Sequence, residues 1–241
     1  MGTFLVTGAT SGIGRAVALR LTEEGHDVLG VGRDETRGAT LELESDNTIT
    51  FLKCDLSQAD EVEALMDRLV ADQVVLHGVF NNAATFGRPG TPERLPASAF
   101  EEVFELNVLA TNRLIQRAIP LLATGSSVVN NAAIVGHVKF PPMLGPYAAS
   151  KAAVIALTKT FAHRMKGKIR FNAVCFGPVD TPLSHKLYGG EAKFKDAMSH
   201  HFRGNAASPE EVAPVVTFLL SDASSYINGQ AITIDGGYSL S

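Results

Sequence analysis

Cysteine is scarce in this chain of 241 residues: only Cys54 and Cys175 are present. Two thiols make no disulfide framework and cannot by themselves complete a structural zinc site, so a cysteine-stapled scaffold is excluded. An excess of basic charge is missing too. Lys and Arg number 21 against 25 Asp and Glu, a formal net charge of −4. No basic cluster runs beyond a few positions, so the electrostatic footprint of a nucleic-acid binder is absent. Apolar runs such as Val74-Val75-Leu76 are far shorter than a membrane span. A strand-like segment begins almost at the first residue, which leaves no room for a signal peptide. With 45% apolar residues the composition is not that of a disordered chain. The expectation is a soluble, cytoplasmic protein with one sizeable core.

What is present is a rhythm. Short strand candidates fall at Phe4 to Val6, Val28 to Val31, Thr48 to Leu52, Val74 to Asn81, Ser127 to Asn131, Ile169 to Val174 and Ala231 to Ile234. Helical spacing lies between them, at Arg15 to Glu24, Ala59 to Val70, Phe100 to Leu121, Tyr147 to Met165 and Pro209 to Leu220. Strand and helix in alternation predict right-handed βαβ units. The fold class is therefore α/β, a parallel sheet of about seven strands with helices on both faces, in a single domain over 1–241. Thr85 to Ala97 and Gly177 to Gly190 read as long loops. Ser208-Pro209-Glu210-Glu211 is a helix-start signal, and Ser57 ahead of Asp60 and Glu61 is a second candidate cap.

The first strand runs into Thr7-Gly8-Ala9-Thr10-Ser11-Gly12-Ile13-Gly14 and then into a helix. Glycines at such a junction allow a tight turn, close approach of a pyrophosphate to backbone, and close packing of helix on strand. The free N–H groups and positive dipole end of the helix then face the phosphates, which points to a dinucleotide. A P-loop is excluded, since no Gly-Lys-Ser/Thr follows.

Further along come Asn81-Asn82-Ala83, Asn107, Tyr147-x3-Lys151 and Gly177-Pro178-Val179-x-Thr181, in that order. Together with Gly8-x3-Gly12-x-Gly14, these motifs resemble the single-domain short-chain dehydrogenase/reductase family over essentially the whole chain. The resemblance implies a doubly wound sheet of Rossmann type and hydride transfer between a nicotinamide cofactor and a carbonyl or secondary alcohol. It also implies a homo-oligomer, a tetramer or dimer; charge, apolar run length and ligand spacing give the expectation of no nucleic-acid, membrane or metal partner. Gly8, Ser11, Gly12, Ile13 and Gly14 would hold the pyrophosphate and Asp55-Leu56 the adenine. Asn82, Ala83 and Pro178 would line the cofactor; Val179 and Thr181 would meet the nicotinamide. At the tip of the second strand the family's acidic position is Gly32, and Arg33 follows. A guanidinium suits a 2′-phosphate, so NADP(H) is expected over NAD(H). The alternative is a solvated Arg33 with Asp34 on the ribose.

Tyr147 and Lys151 are four apart in a helical segment, hence one turn apart on one face. A neighbouring ammonium favours a phenolate and is expected to lower the tyrosine pKa, making an acid/base pair. In the family the lysine also holds the nicotinamide ribose, and the asparagine corresponding to Asn107 supports a water relay. Enoyl reductases of this fold use a longer Tyr-to-Lys interval, so carbonyl chemistry is expected over reduction of a carbon–carbon double bond.

Two departures stand out. Ala84 replaces the glycine of the family's Asn-Asn-Ala-Gly turn, a strain if that turn needs positive φ. More consequential, Asn130-Asn131-Ala132-Ala133-Ile134-Val135-Gly136 matches the family's Asn-x-Ser-Ser-x-x-Gly and puts Ala133 on the position of the substrate-binding serine. An alanine donates no side-chain hydrogen bond, and loss of one such donor costs roughly 10²–10³ in rate. Three readings follow: an engineered Ser-to-Ala change, a substitute donor at Asn131 (two residues back, on the same strand face) or His137, or an NADP(H)-binding sensor or scaffold without turnover. Leu183 to Asn205 resembles a mobile substrate lid. There Lys186, Lys193, Lys195 and Arg203 outnumber Glu191 and Asp196, which favours either an anionic substrate or acyl-carrier partner, or a merely solvated face. Phe140, Met143, Leu144, Leu187, Tyr188, Met198 and Phe202 form either a pocket wall or lid packing. His200-His201 lacks metal-ligand spacing.

Overall fold

In the computed structural model, which describes residues 1–200 and 203–240, strand β1 (Thr3–Thr7) is buried on both faces from Phe4 onward. Phe4 and Val6 face a core shared with α1 (Gly12–Glu23) and α9 (Pro209–Leu220). Leu5 faces the opposite way, into a core under α3 (Ala59–Ala71) and α5 (Ala110–Ala118). A strand enclosed by two helical layers needs apolar groups on both sides, which is why it reads as a continuous apolar run.

The other strands are β2 (Asp27–Gly32), β3 (Ile49–Lys53), β4 (Leu76–Asn81), β5 (Leu122–Asn131), β6 (Arg170–Phe176) and β7 (Ala231–Ile234). They form one sheet of 7 strands in the order β3-β2-β1-β4-β5-β6-β7, with every pair parallel. The chain leaves β1 in one direction through β2 and β3, then returns to its other side with β4. At that reversal the loops after β1 and β4 diverge and open a crevice at the carboxyl ends of the strands.

The remaining helices depart from expectation in informative ways. Between β2 and β3 lies α2 (Glu35–Glu44), absent from the sequence reading. Only its Gly38 and Leu41 are buried, too thin a stripe to show as periodicity. The long helix expected over Phe100 to Leu121 is three pieces: α4 (Ala97–Phe104), a π turn over Glu105–Leu109, and α5, which ends in a 3-10 turn. Asn107 sits on the π turn. After α6 (Gly145–Met165) and β6, the loop expected over Gly177 to Gly190 contains α7 (Pro182–Tyr188), and α8 (Glu191–Ser199) follows it.

Ser208 caps α9 as its sequence indicates, with Ser208 and Glu211 exchanging side-chain and main-chain bonds of 3.2 and 2.8 Å. Ser57 does not cap α3. That helix starts after Gln58, and the Ser57 hydroxyl donates instead to Asp55 at 2.7 Å. Ala84 is not among the residues with positive φ, so its turn carries no left-handed strain.

Candidate active site

The crevice holds a cleft of about 530 Å³. At one end lies the loop between β1 and α1, where Gly8 and Gly12 have φ of +63° and +52°. A Cβ on Gly14 would lie 2.3 Å from the Gly8 carbonyl oxygen, so the helix can approach the strand this closely only without a side chain. Ser11, at the N-cap of α1, makes no side-chain bond to the helix, leaving the first-turn N–H groups directed at the cleft. The Thr7 hydroxyl accepts the N–H groups of Asn82 and Ala83 at 2.8 and 3.0 Å, which ties this loop to the end of β4. This cradle of positive-φ glycines beneath a helix N-terminus fits a dinucleotide pyrophosphate.

Beside it the β2 tip presents Gly32 and a largely exposed Arg33, whose guanidinium lies 3.5 Å from Asp55. Asp34 is engaged elsewhere. It accepts the Arg37 N–H at 3.1 Å as the cap of α2 and pairs with the Arg37 side chain. Arg37 also lines the cleft and was not singled out from sequence, because it lies on the unforeseen α2. Burial works to raise the Asp55 pKa, but bonds from Ser57 and the Arg33 charge outweigh it and hold the carboxyl below its usual value. Leu56 lies alongside, buried.

At the other end Tyr147 lines the cleft, its ring tilted against Phe86 with centroids 4.4 Å apart. Lys151 lies one turn on, behind the wall, with Nζ 5.6 Å from the centre of the Tyr147 ring. Nζ donates to the main-chain carbonyl of Asn131 at 2.6 Å. Burial pushes Lys151 down to about 7 and pushes Tyr147 up. The expected lowering of the phenol is thus reversed. The cation is not against the hydroxyl, and desolvation favours the neutral forms of both groups. Asn107 does not reach Lys151. Its side chain exchanges two 2.9 Å bonds with the Thr85 backbone and donates to Ser150 Oγ at 3.0 Å. The Ser150 hydroxyl in turn donates to the Tyr147 carbonyl at 2.7 Å. These bonds compensate an asparagine in a helical segment.

Ala133 lines the cleft, just beyond the end of β5. Strand alternation therefore does not relate it to Asn131, as had been expected. Asn131 lines the cleft with its amide donating to Asn82 Oδ1 at 2.9 Å; His137 is not part of the lining. Val179 and Thr181 line it, whereas Pro178 faces a neighbouring hollow of about 160 Å³. The apolar lining of the cleft includes Phe86, Leu106, Phe176 and Leu183, and none of Phe140, Met143, Leu144, Leu187, Tyr188 or Met198, which leaves that set to packing or the surface. Phe140 and Met143 are exposed and Met198 is packed inside. Phe202 and His201 lie outside the described residues. These wall residues were not singled out as a set because each belongs to a different segment.

Comparison with known proteins agrees with this geometry. A family model described as enoyl-(acyl carrier protein) reductase matches residues 8–239. The chain is 34% identical to a 3beta-hydroxysteroid dehydrogenase of Mediterraneibacter gnavus, over 97% of this chain and 93% of that protein. It is 33% identical to a 3-oxoacyl-(acyl-carrier-protein) reductase of Thermotoga maritima, over 97% and 96%. The crystal structure of levodione reductase aligns with a TM-score of 0.91 at 26% identity, covering 100% of this chain and 98% of that one. The chain belongs to the short-chain dehydrogenase/reductase family, oxidoreductases that use nicotinamide cofactors on alcohol or carbonyl groups.

Proposed function

We propose that this chain is an NADP(H)-dependent reductase or dehydrogenase of a ketone/secondary-alcohol pair, with Tyr147 as the proton-transfer group. One observation carries the reading: Tyr147 lines the same cleft whose far end is the glycine cradle, with the buried Lys151 one helical turn on behind it. Gly8, Ser11, Gly12, Ile13 and Gly14 would hold the pyrophosphate, Asp55 and Leu56 the adenine, Asn82 and Ala83 the cofactor's flank, and Val179 and Thr181 the nicotinamide. When bound, the reduced cofactor supplies the hydride. Arg33 and Arg37, both lining the cleft, with Asp34 occupied as a cap, support a 2′-phosphate ligand.

Burial keeps the Tyr147 phenol protonated at neutral pH, the form needed to protonate a nascent alkoxide. An alkoxide is a stronger base than a phenolate, so the transfer is downhill even from a raised phenol. Burial lowers Lys151 to about 7, and with its Nζ on the Asn131 carbonyl and 5.6 Å from the ring centre it would act on the phenolate through an intervening group. Asn107 positions the Thr85 segment and α6. The four-residue spacing supports C=O over C=C chemistry. A homo-oligomer, a cytoplasmic location and a lid over 183–205 extend this reading on resemblance alone.

The test is NADPH oxidation over a panel of ketones with the chain and its Tyr147→Phe variant. Loss of roughly 10²–10⁴ in rate is expected for the variant, and equal rates would remove Tyr147 from the chemistry. Ala133 favours a second reading, cofactor binding without turnover. Absence of turnover by both the chain and its Ala133→Ser variant across the panel would put that reading first.

A further inference from the structure

An alkoxide forming beside Tyr147 needs hydrogen-bond donors, and among the described residues the Asn131, Thr181 and Ser184 side chains that line the cleft are bonded elsewhere. Ala132 N–H donates to the Val174 carbonyl at 2.8 Å and Ile134 N–H to the Phe176 carbonyl at 3.1 Å. Between them, Ala133 lines the cleft with only a methyl group for a side chain. The Asn131 amide donates to Asn82, and the Ser184 hydroxyl, bonded to Thr181, donates to the Val179 carbonyl at 2.7 Å. Lys151 is turned to the Asn131 carbonyl. Backbone groups bonded in the sheet register cannot turn toward a substrate without breaking that register.

We propose that this site is selective for α-hydroxyketones and vicinal diols on an otherwise apolar frame, the substrate's second hydroxyl supplying the hydrogen bond that the wall withholds. The proposal rests on the hydride-transfer reading above. In the reducing direction the carbonyl carbon gains the hydride furnished by the reduced nicotinamide dinucleotide. The C=O π pair takes the Tyr147 proton. The neighbouring hydroxyl bonds to the developing oxyanion across a five-membered ring and keeps its own proton, so the product is the vicinal diol. Phe86, Phe176 and Leu183 offer apolar surface for the rest of the molecule.

The probes are 2-hydroxycyclohexanone and 2-methoxycyclohexanone, which are similar in inductive effect but differ in the donor. With NADPH, kcat/KM is expected to favour the hydroxyketone by about tenfold or more. Ala133→Ser places a donor on the wall and should narrow that ratio, chiefly by raising the rate on the methoxyketone. Equal rates on the two ketones, or a ratio unmoved by Ala133→Ser, would overturn the proposal while leaving hydride transfer intact. Turnover of other ketones but of neither probe would do the same. Absence of turnover of any ketone by either form would overturn the functional reading and this proposal with it.

Discussion

The Lys151 amine nitrogen donates to the main-chain oxygen of Asn131 at 2.6 Å. The same Asn131 donates its amide to Asn82 Oδ1 at 2.9 Å, and Asn82 donates to the Thr7 carbonyl at 3.0 Å. One line of hydrogen bonds therefore joins the glycine loop to the lysine behind the tyrosine. Asn131→Ala keeps the carbonyl but cuts the line. A net hydrogen bond contributes about 0.5–1.5 kcal/mol, so a rise of roughly 2- to 10-fold in the Kd for NADPH is expected, with the pH profile of turnover displaced. Loss of thermal stability with both readouts unmoved would reduce Asn131 to a packing role.

The buried pair makes the stability of the cofactor-free protein depend on pH in a defined sense. The folded-state pKa of Lys151 is lowered from 10.5 to about 7, so between those values the unfolded chain binds more protons. Stability from this group is therefore least below pH 7 and rises toward pH 10.5. Tyr147 shifts the opposite way, so its contribution is lost above the ordinary phenol pKa. Urea denaturation at intervals from neutral to alkaline pH should show the rise, and Lys151→Met should flatten it. An unchanged slope in the variant would show that Lys151 is not desolvated as the structure requires.

Gly14→Ala sets two effects against each other. Alanine gains about 1 kcal/mol in helix propensity over glycine. Its Cβ, however, would lie 2.3 Å from the Gly8 carbonyl and 2.5 Å from Asn82 Nδ2. Overpacking of that kind costs about 1–3 kcal/mol, so a lower Tm and weaker NADPH binding are expected together. A variant as stable as the parent, with equal affinity, would mean that the loop has slack the structure does not show.

Arg33→Ala should lower NADPH affinity by roughly 10- to 100-fold, the worth of a charge-assisted hydrogen bond of about 1.5–3 kcal/mol. NADH affinity should hardly change. Fluorescence titration with both cofactors measures the ratio, and an unchanged ratio would assign the 2′-phosphate contact elsewhere, with Arg37 the next residue to vary.

Much of the scaffold was legible because its signals are local. The glycine loop, Tyr147-x3-Lys151 and the Ser208–Glu211 cap each depend on residues within one or two turns of one another. The buried strands stand out because they are apolar on both faces. Elements held by sparse contacts were harder to read. α2 buries only Gly38 and Leu41, and the helix around Asn107 opens into a π turn whose compensation comes from Thr85, 22 residues away.

Spacing along the chain was enough for the alternation of strand and helix, the glycine loop at the first strand–helix junction and the one-turn separation of Tyr147 and Lys151, because helix and strand geometry follow from backbone periods of a few residues. Whether a donor is available to substrate could not be read that way. The partners of the Ala132 and Ile134 N–H groups lie on β6, about forty residues further on, and the carbonyl that takes Lys151 belongs to β5. So do the pKa directions of Tyr147 and Lys151, which burial governs over proximity. Hydrogen-bond satisfaction and desolvation depend on what surrounds a group in three dimensions, and that is known only once the sheet has closed around it.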